Sequence, residues 1–140
     1  MKKGQTLIEI IVAMAVVVLL VTGLVAGATA TLKAAQYGRA KSLAASLAQE
    51  ALEKARGLRD GGWETFSTYG SVGGTTWCLD KAGNWTQASG SCSANIDNLY
   101  SRTVVFTWQD PKMKVDVAIT WTDGSYTYRV DQTTYFTQWQ

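Results

Sequence analysis

The sequence predicts an α+β fold, in which a long N-terminal helix packs on a small antiparallel β-sheet. Residues 10–32 contain no charged side chain, which predicts an apolar, membrane-spanning first half of the helix. Residues 33–60 continue at helical spacing with one apolar stripe, which predicts an amphipathic second half. Residues 101–131 alternate between apolar and polar side chains, as half-buried strands do.

The apolar segment is long enough to cross a bilayer, because about 20 residues at about 1.5 Å rise suffice. Lys2 and Lys3 precede it, so the N-terminus is expected in the cytoplasm and the rest of the chain outside. A cleaved secretory signal has a shorter apolar core followed by small residues, whereas here Gly4 comes before the core. Glu9 is the one acid at the start of this helix, and an acid in that position is a candidate functional residue.

The second half of the helix, residues 33–60, lacks proline and is rich in good helix formers. Its apolar stripe is predicted to lie under the folded head and consists of Leu43, Leu47, Ala51, Ala55 and Leu58, flanked by Ala44, Ala48 and Leu52. Three glycines are predicted to end it: Gly57, Gly61 and Gly62. We therefore divide the chain into a leader at 1–4, an apolar helix at 5–32, its amphipathic continuation at 33–60 and a head at 61–140.

The head is predicted to begin with a loop region at 61–100 and to end with the sheet at 101–140. Glycines punctuate the loop region, and short strands are expected near 76–79 and 85–87. Its aromatic residues indicate order rather than a flexible linker. They form either a satellite core or a surface that binds glycans or another protein: Trp63, Phe66, Tyr69, Trp77 and Trp85.

Two cysteines, Cys78 and Cys92, lie in this loop region and are predicted to form a disulfide, since the head is expected outside the cytoplasm. Two free thiols in a reducing compartment are the alternative. A metal site is a weaker one, because two cysteines alone provide too few soft ligands.

Three strands at 102–109, 113–122 and 126–131 are predicted to form an antiparallel meander, joined by turns at 110–112 and 123–124. One face of the meander needs a cover, and the amphipathic half of the helix provides it. The remaining C-terminal tail is predicted to add a short strand or to dock on the sheet edge.

Charge and composition argue against several functions. The chain has 13 basic and 11 acidic side chains, and without Lys2 and Lys3 the two signs balance, which argues against a general polyanion or nucleic-acid binder. Histidine is absent, so Ser-His-Asp triads and histidine-ligated metals are excluded within this chain. We predict no enzyme, no catalytic residues, no cofactor and no metal.

The N-terminal motif Lys2-Lys3-Gly4, followed by Gln5-Thr-Leu-Ile-Glu9 and the apolar helix, resembles the class III signal of type IV pilins and type II secretion pseudopilins. The resemblance implies that a prepilin peptidase cleaves after Gly4 and methylates the new amine of Gln5. It also implies that Glu9 guides subunit assembly. A long helix on an antiparallel sheet is similar to the pilin architecture, so the predicted fold is pilin-like.

Two residues differ from the pattern of that family. Gln5 stands where most members have phenylalanine, and Ala26 stands where many major pilins have proline. The missing proline and the short sheet domain favour a minor pilin, a structural subunit of a type IV pilus-like filament. The alternatives are a major pilin, a pseudopilin of a type II secretion or competence system, and a membrane-anchored binding domain that never polymerises.

The partners that the resemblance implies are copies of the chain or other pilins in a helical filament, the prepilin peptidase, an inner-membrane assembly platform and membrane lipid before assembly. The precursor is expected in the cytoplasmic membrane as a single-pass protein. The mature subunit is expected in an extracellular or periplasmic filament. Adhesion, motility, DNA uptake and secretion all remain open as uses of that filament.

Overall fold

The computed structural model describes residues 3–94 and 96–138, and for residues 3–6 the backbone alone. In chain order its elements are α1 Lys3–Gly61, α2 Trp63–Ser67, β1 Thr75–Leu79, β2 Trp85–Ala88, β3 Tyr100–Gln109, β4 Lys112–Asp123 and β5 Tyr126–Thr137. The chain forms two compact units, Met1–Ala40 and Lys41–Gln140. The predicted α+β, pilin-like arrangement of a long apolar N-terminal helix and an antiparallel sheet is confirmed.

The sheet has five strands in the order β2-β1-β3-β4-β5, and all neighbouring pairs are antiparallel. Its last three strands are the predicted meander. The two short strands of the loop region belong to the same sheet, because β1 pairs with β3 and places Cys78 opposite Thr103. The tail is not a separate element: β5 continues to Thr137, since β4 is long enough to pair with it as far as Lys112.

The inner face of the sheet carries large side chains, and the helix that covers it contributes small ones. Buried apolar residues of the central strands alternate as predicted and include Val104, Phe106, Met113, Val115, Val117, Ile119 and Trp121. The fully buried helix residues are Ala44, Ala48, Ala51 and Ala55. The predicted stripe is thus centred on alanines, while Leu43 is 49% exposed and the other leucines flank the contact. Because the sheet already fills the space, only methyl groups fit between helix and sheet.

Enlargement of a central alanine tests this close approach. We expect Ala48→Leu to lower the free energy of unfolding of the head by about 1–3 kcal/mol, because extra methyl groups in a filled core force neighbouring side chains out of place. Gln49→Leu adds a similar apolar group at the adjacent exposed position and serves as the matched control. Denaturant unfolding followed by tryptophan fluorescence measures both. Equal stability of the two variants would contradict the packing described above.

A second cover of the sheet comes from α2 and the segment after it. Phe66 is fully buried and packs edge-on against Phe106 and Phe136, with ring centroids 5.8 and 5.6 Å away. Tyr69 packs against Trp77 at 4.7 Å and accepts a 2.8 Å hydrogen bond from the Trp77 indole on its carbonyl oxygen. These contacts make the aromatic residues of this region a satellite core.

Candidate functional site

The N-terminal unit presents an apolar surface on every side of its helix. Between Leu7 and Leu32 the large apolar side chains are 49–73% exposed. A helix that is apolar all round belongs inside a protein or a membrane. Its length and composition suffice to cross a bilayer, with a mean hydropathy of 2.9 over its most apolar window. This surface therefore requires lipid or other apolar helices around it.

The threonine hydroxyls within this apolar stretch are satisfied by the helix itself. Thr22 donates to the carbonyl of Val18 at 2.7 Å, and Thr31 donates to that of Gly27 at 2.9 Å. Thr29 likewise donates to a carbonyl of the preceding turn. Such internal bonds remove the cost of placing a hydroxyl group in an apolar environment. They leave the segment compatible with lipid along its length.

Glu9 is the exception on this surface. Its side chain is exposed, and it is the one charged residue in the stretch from Leu7 to Leu32. It forms no ion pair with any other residue whose side chain the structure describes. An ionised carboxylate in an apolar environment is costly unless a cation accompanies it. The arrangement thus offers an acceptor for a positive group supplied from outside the described side chains.

The predicted cleavage and methylation residues, Gly4 and Gln5, lie in the first turn of α1. The structure describes only the backbone of these two residues, so their roles remain predictions.

In the head, the predicted disulfide between Cys78 and Cys92 is present, with an S–S distance of 2.05 Å. Cys78 belongs to β1 and points to the face of the sheet opposite α1, so the bridge holds the loop after β2 against that outer face. Ser101 of β3 donates a 2.7 Å hydrogen bond to the carbonyl of Cys92 and fixes the same loop.

Arg102 connects α1, β1 and the turn after β1 through hydrogen bonds. Nothing in the sequence around it distinguishes it from a surface arginine. It lies on the inner face of β3 with its side chain 0% exposed. It donates to the carbonyls of Leu79 at 3.1 Å, Asp80 at 2.7 Å and Leu47 of α1 at 3.2 Å. A Glu50 carboxylate oxygen lies 3.3 Å from its guanidinium. Burial lowers the pKa of Arg102, and the neighbouring Glu50 opposes that shift.

The turn between β1 and β2 presents one of these carbonyls to Arg102. The Asp80 carboxylate accepts hydrogen bonds from the backbone N–H and the side-chain amide of Asn84, both at 2.8 Å. These bonds favour the ionised form and lower the pKa of Asp80. The closed turn therefore holds the Asp80 carbonyl in the orientation that the buried guanidinium needs.

The outer face of the sheet carries a shallow groove of about 320 Å³, between the disulfide-linked loop and β5. Each of its charged residues already has a partner. Arg129 contacts Asp131 at 2.7 Å, and Asp116 accepts from Lys114 and Thr133. Among the residues that the structure describes, no cluster of three or more potential metal ligands occurs.

Comparison with known protein families identifies the N-terminal segment. Residues 1–25 match the family model of the prokaryotic N-terminal methylation motif, the class III signal of type IV pilins and pseudopilins. The resemblance predicted from the sequence is therefore confirmed for this segment, which includes Gly4, Gln5 and Glu9. No curated protein and no solved structure matches the chain. The match ends before the head, so the head is interpreted from its own geometry.

Proposed function

We propose that this chain is a structural subunit of a type IV pilus-like filament, and specifically a minor pilin. The observation that carries the proposal is the methylation motif at residues 1–25, most of which lies in a helix whose exposed surface is apolar on all sides. The motif supports a protein of the type IV pilin or pseudopilin type, whose role is structural rather than enzymatic.

In this proposal the precursor lies in the cytoplasmic membrane with its leader inside and its head outside. A prepilin peptidase cleaves after Gly4 and methylates the amine of Gln5. The apolar helix is surrounded by lipid at that stage and by the helices of other subunits after assembly. The exchange costs little, because the same apolar side chains stay out of water throughout.

Glu9 supplies the register of assembly. Its carboxylate pairs with the positively charged amine of Gln5 in a neighbouring subunit, and in an apolar surrounding this attraction is strong. Either charge alone is costly there, so a subunit placed in the wrong register leaves two charges without partners. The pairing thus acts on specificity as well as on affinity. Support comes from the lack of an ion pair for Glu9 among the described side chains.

Small residues of the helix provide close contact between subunits. A Cβ atom added at Gly23 or Gly27 would meet nothing within 4 Å in the chain itself. The packing of the chain itself therefore does not require glycine at these positions. Two small residues four apart allow neighbouring helices to approach closely, which is the role we propose for them.

The minor-pilin assignment rests on Ala26, in place of the proline of many major pilins, and on the small sheet domain. A pseudopilin of a secretion or competence system would carry the same signal, and this is the second candidate. Abundance separates the candidates, because a major subunit dominates sheared surface material, a minor pilin is a trace component, and a pseudopilin is retained with the cell envelope.

The test is the intact mass and N-terminal sequence of the protein, recovered from mechanically sheared cell surfaces without a reducing agent. We expect a chain that starts at methylated Gln5 and is two hydrogens lighter than its reduced form, because Cys78 and Cys92 are joined. The same preparation after reduction serves as the mass control. A chain found only in membranes and still beginning at Met1 would contradict the proposal and indicate an anchored domain that does not polymerise.

A further inference from the structure

β5 is a long and regular edge of the sheet. Among the described residues, β5 pairs with β4 alone, in unbroken register from Lys112–Thr137 to Asp123–Tyr126. It contains no proline, no glycine and no bulge. An edge strand of this kind presents a row of backbone groups to which another strand can bind. The opposite edge, β2, is only four residues long.

The hairpin turn determines which residues of β5 direct their backbone outward. Gly124 is the first of two turn residues and has a φ of 61°, as in a type II′ turn. The pair that closes such a turn, Asp123 and Tyr126, is hydrogen-bonded, and bonded and non-bonded pairs then alternate along the ladder. Every second residue from Thr127 to Thr137 therefore directs its N–H and C=O away from β4. Each of these residues is also exposed.

Two of the outward residues carry opposite charges. Arg129 and Asp131 contact each other at 2.7 Å, and their side chains are 61% and 57% exposed. A strand that pairs antiparallel with β5 must place an acid opposite Arg129 and a base opposite Asp131. Because the partner strand runs in the opposite direction, its basic residue comes first and its acidic residue comes two positions later. The sequence arginine, any residue, aspartate fits this order. The segment Arg129-Val130-Asp131 has this order itself, so β5 is complementary to a second copy of β5.

We propose that β5 pairs antiparallel with β5 of a second copy of this chain, about a two-fold axis at Val130. Arg129 of each copy then faces the partner's Asp131, and the two sheets continue into one. The axis reverses the strand direction of the second copy. Subunits within one filament share a direction, so this contact joins oppositely directed copies, such as those of two filaments side by side. The inference depends only on the sheet edge and holds whether or not the chain forms filaments.

Charge reversal tests the register. In the full-length chain in detergent, Arg129→Asp alone and Asp131→Arg alone are each expected to weaken dimer formation by about 10-fold or more, since two attractive cross-strand pairs become repulsive at once. The double variant restores both pairs and should dimerise like the wild type. A mixture of the two single variants should form heterodimers. Both residues are exposed, so folding is little affected by these changes.

The charge-reversal series also separates this contact from association through the apolar helices, which is indifferent to charges on β5. Sedimentation velocity over a range of protein concentrations measures the dimer. A wild-type chain that stays monomeric, or a dimer of equal strength in all four forms, would overturn the proposal.

Cross-linking provides an independent measurement. Val130 of the two copies would form a non-hydrogen-bonded pair with a Cα separation of about 4.5 Å, which lies within the range of a disulfide. Val130→Cys is therefore expected to give a covalent dimer under mild oxidation. Thr134→Cys, on the same face and also half-buried, would lie far from its counterpart and should stay uncrosslinked. Equal cross-linking of the two variants would contradict the register.

Discussion

Replacement of Glu9 by glutamine is expected to reduce incorporation into filaments by about 30-fold or more, while membrane insertion and cleavage after Gly4 continue. Glutamine keeps the size and shape of the side chain but removes the charge that would pair with the amine of a neighbouring subunit. Loss of one partner from a buried charge pair costs about 2–5 kcal/mol, which corresponds to this reduction. The ratio of the variant in sheared surface material to that in membranes measures the effect.

The matched control for Glu9→Gln is Glu53→Gln in the same helix. Glu53 is 63% exposed and pairs with Arg56 at 2.8 Å on the surface, so its neutralisation should leave incorporation unchanged. If the Glu9 variant enters filaments as well as the control does, Glu9 has no role in assembly and serves only as an acid near the lipid headgroups.

Replacement of Arg102 by methionine is expected to lower the free energy of unfolding of the head by about 3 kcal/mol. Methionine fills much of the same volume but removes three hydrogen bonds from a charged donor, to the carbonyls of Leu79, Asp80 and Leu47. A hydrogen bond to a charged group contributes about 1.5–3 kcal/mol, and the total loss is moderated because the Asp80 carbonyl keeps its bond from the Gly83 N–H. Chemical denaturation of the full chain in detergent, followed by tryptophan fluorescence, measures this change.

Glu50→Gln separates the buried hydrogen bonds from the ion pair. The Glu50 carboxylate is 44% exposed, so water screens its attraction to Arg102 and its loss should cost about 1 kcal/mol or less. A loss of stability in the Glu50 variant as large as that in the Arg102 variant would show that the ion pair, rather than the carbonyl bonds, holds the head together.

The residues of the candidate site that could be predicted from the sequence are those that lie close together in one short segment of the chain. The family match at residues 1–25 covers Gly4, Gln5 and Glu9, and it depends on their order along the chain rather than on folding. The disulfide was predictable for a similar reason, since two cysteines in a domain that is expected outside the cytoplasm have few other partners. The alternation of apolar and polar residues in β5 indicated a strand, but the sequence does not show which strand lies at the edge of the sheet.

The burial of Arg102, and the position of alanines rather than leucines at the centre of the helix contact, could not be predicted from local patterns. An arginine in an alternating strand is ordinarily assigned to the solvent, and only the assembled head brings three carbonyls from α1, β1 and the following turn to one point. The predicted stripe of α1 mixed leucines with Ala51 and Ala55. In the structure alanines alone form its centre and the leucines flank it, because the side chains of the sheet already occupy the available volume.

The sequence by itself determined the class of fold, the apolar helix, the three strands of the meander and the N-terminal signal, because each depends on periodicity or on residues adjacent in the chain. Only the tertiary structure decided that β1 and β2 join the same sheet, that β5 continues as its open edge and that Arg102 is buried. These features depend on contacts between residues far apart in the chain. Such contacts are decided by how side chains fill the core and by which groups satisfy buried hydrogen-bond donors and acceptors, and a local sequence pattern contains neither.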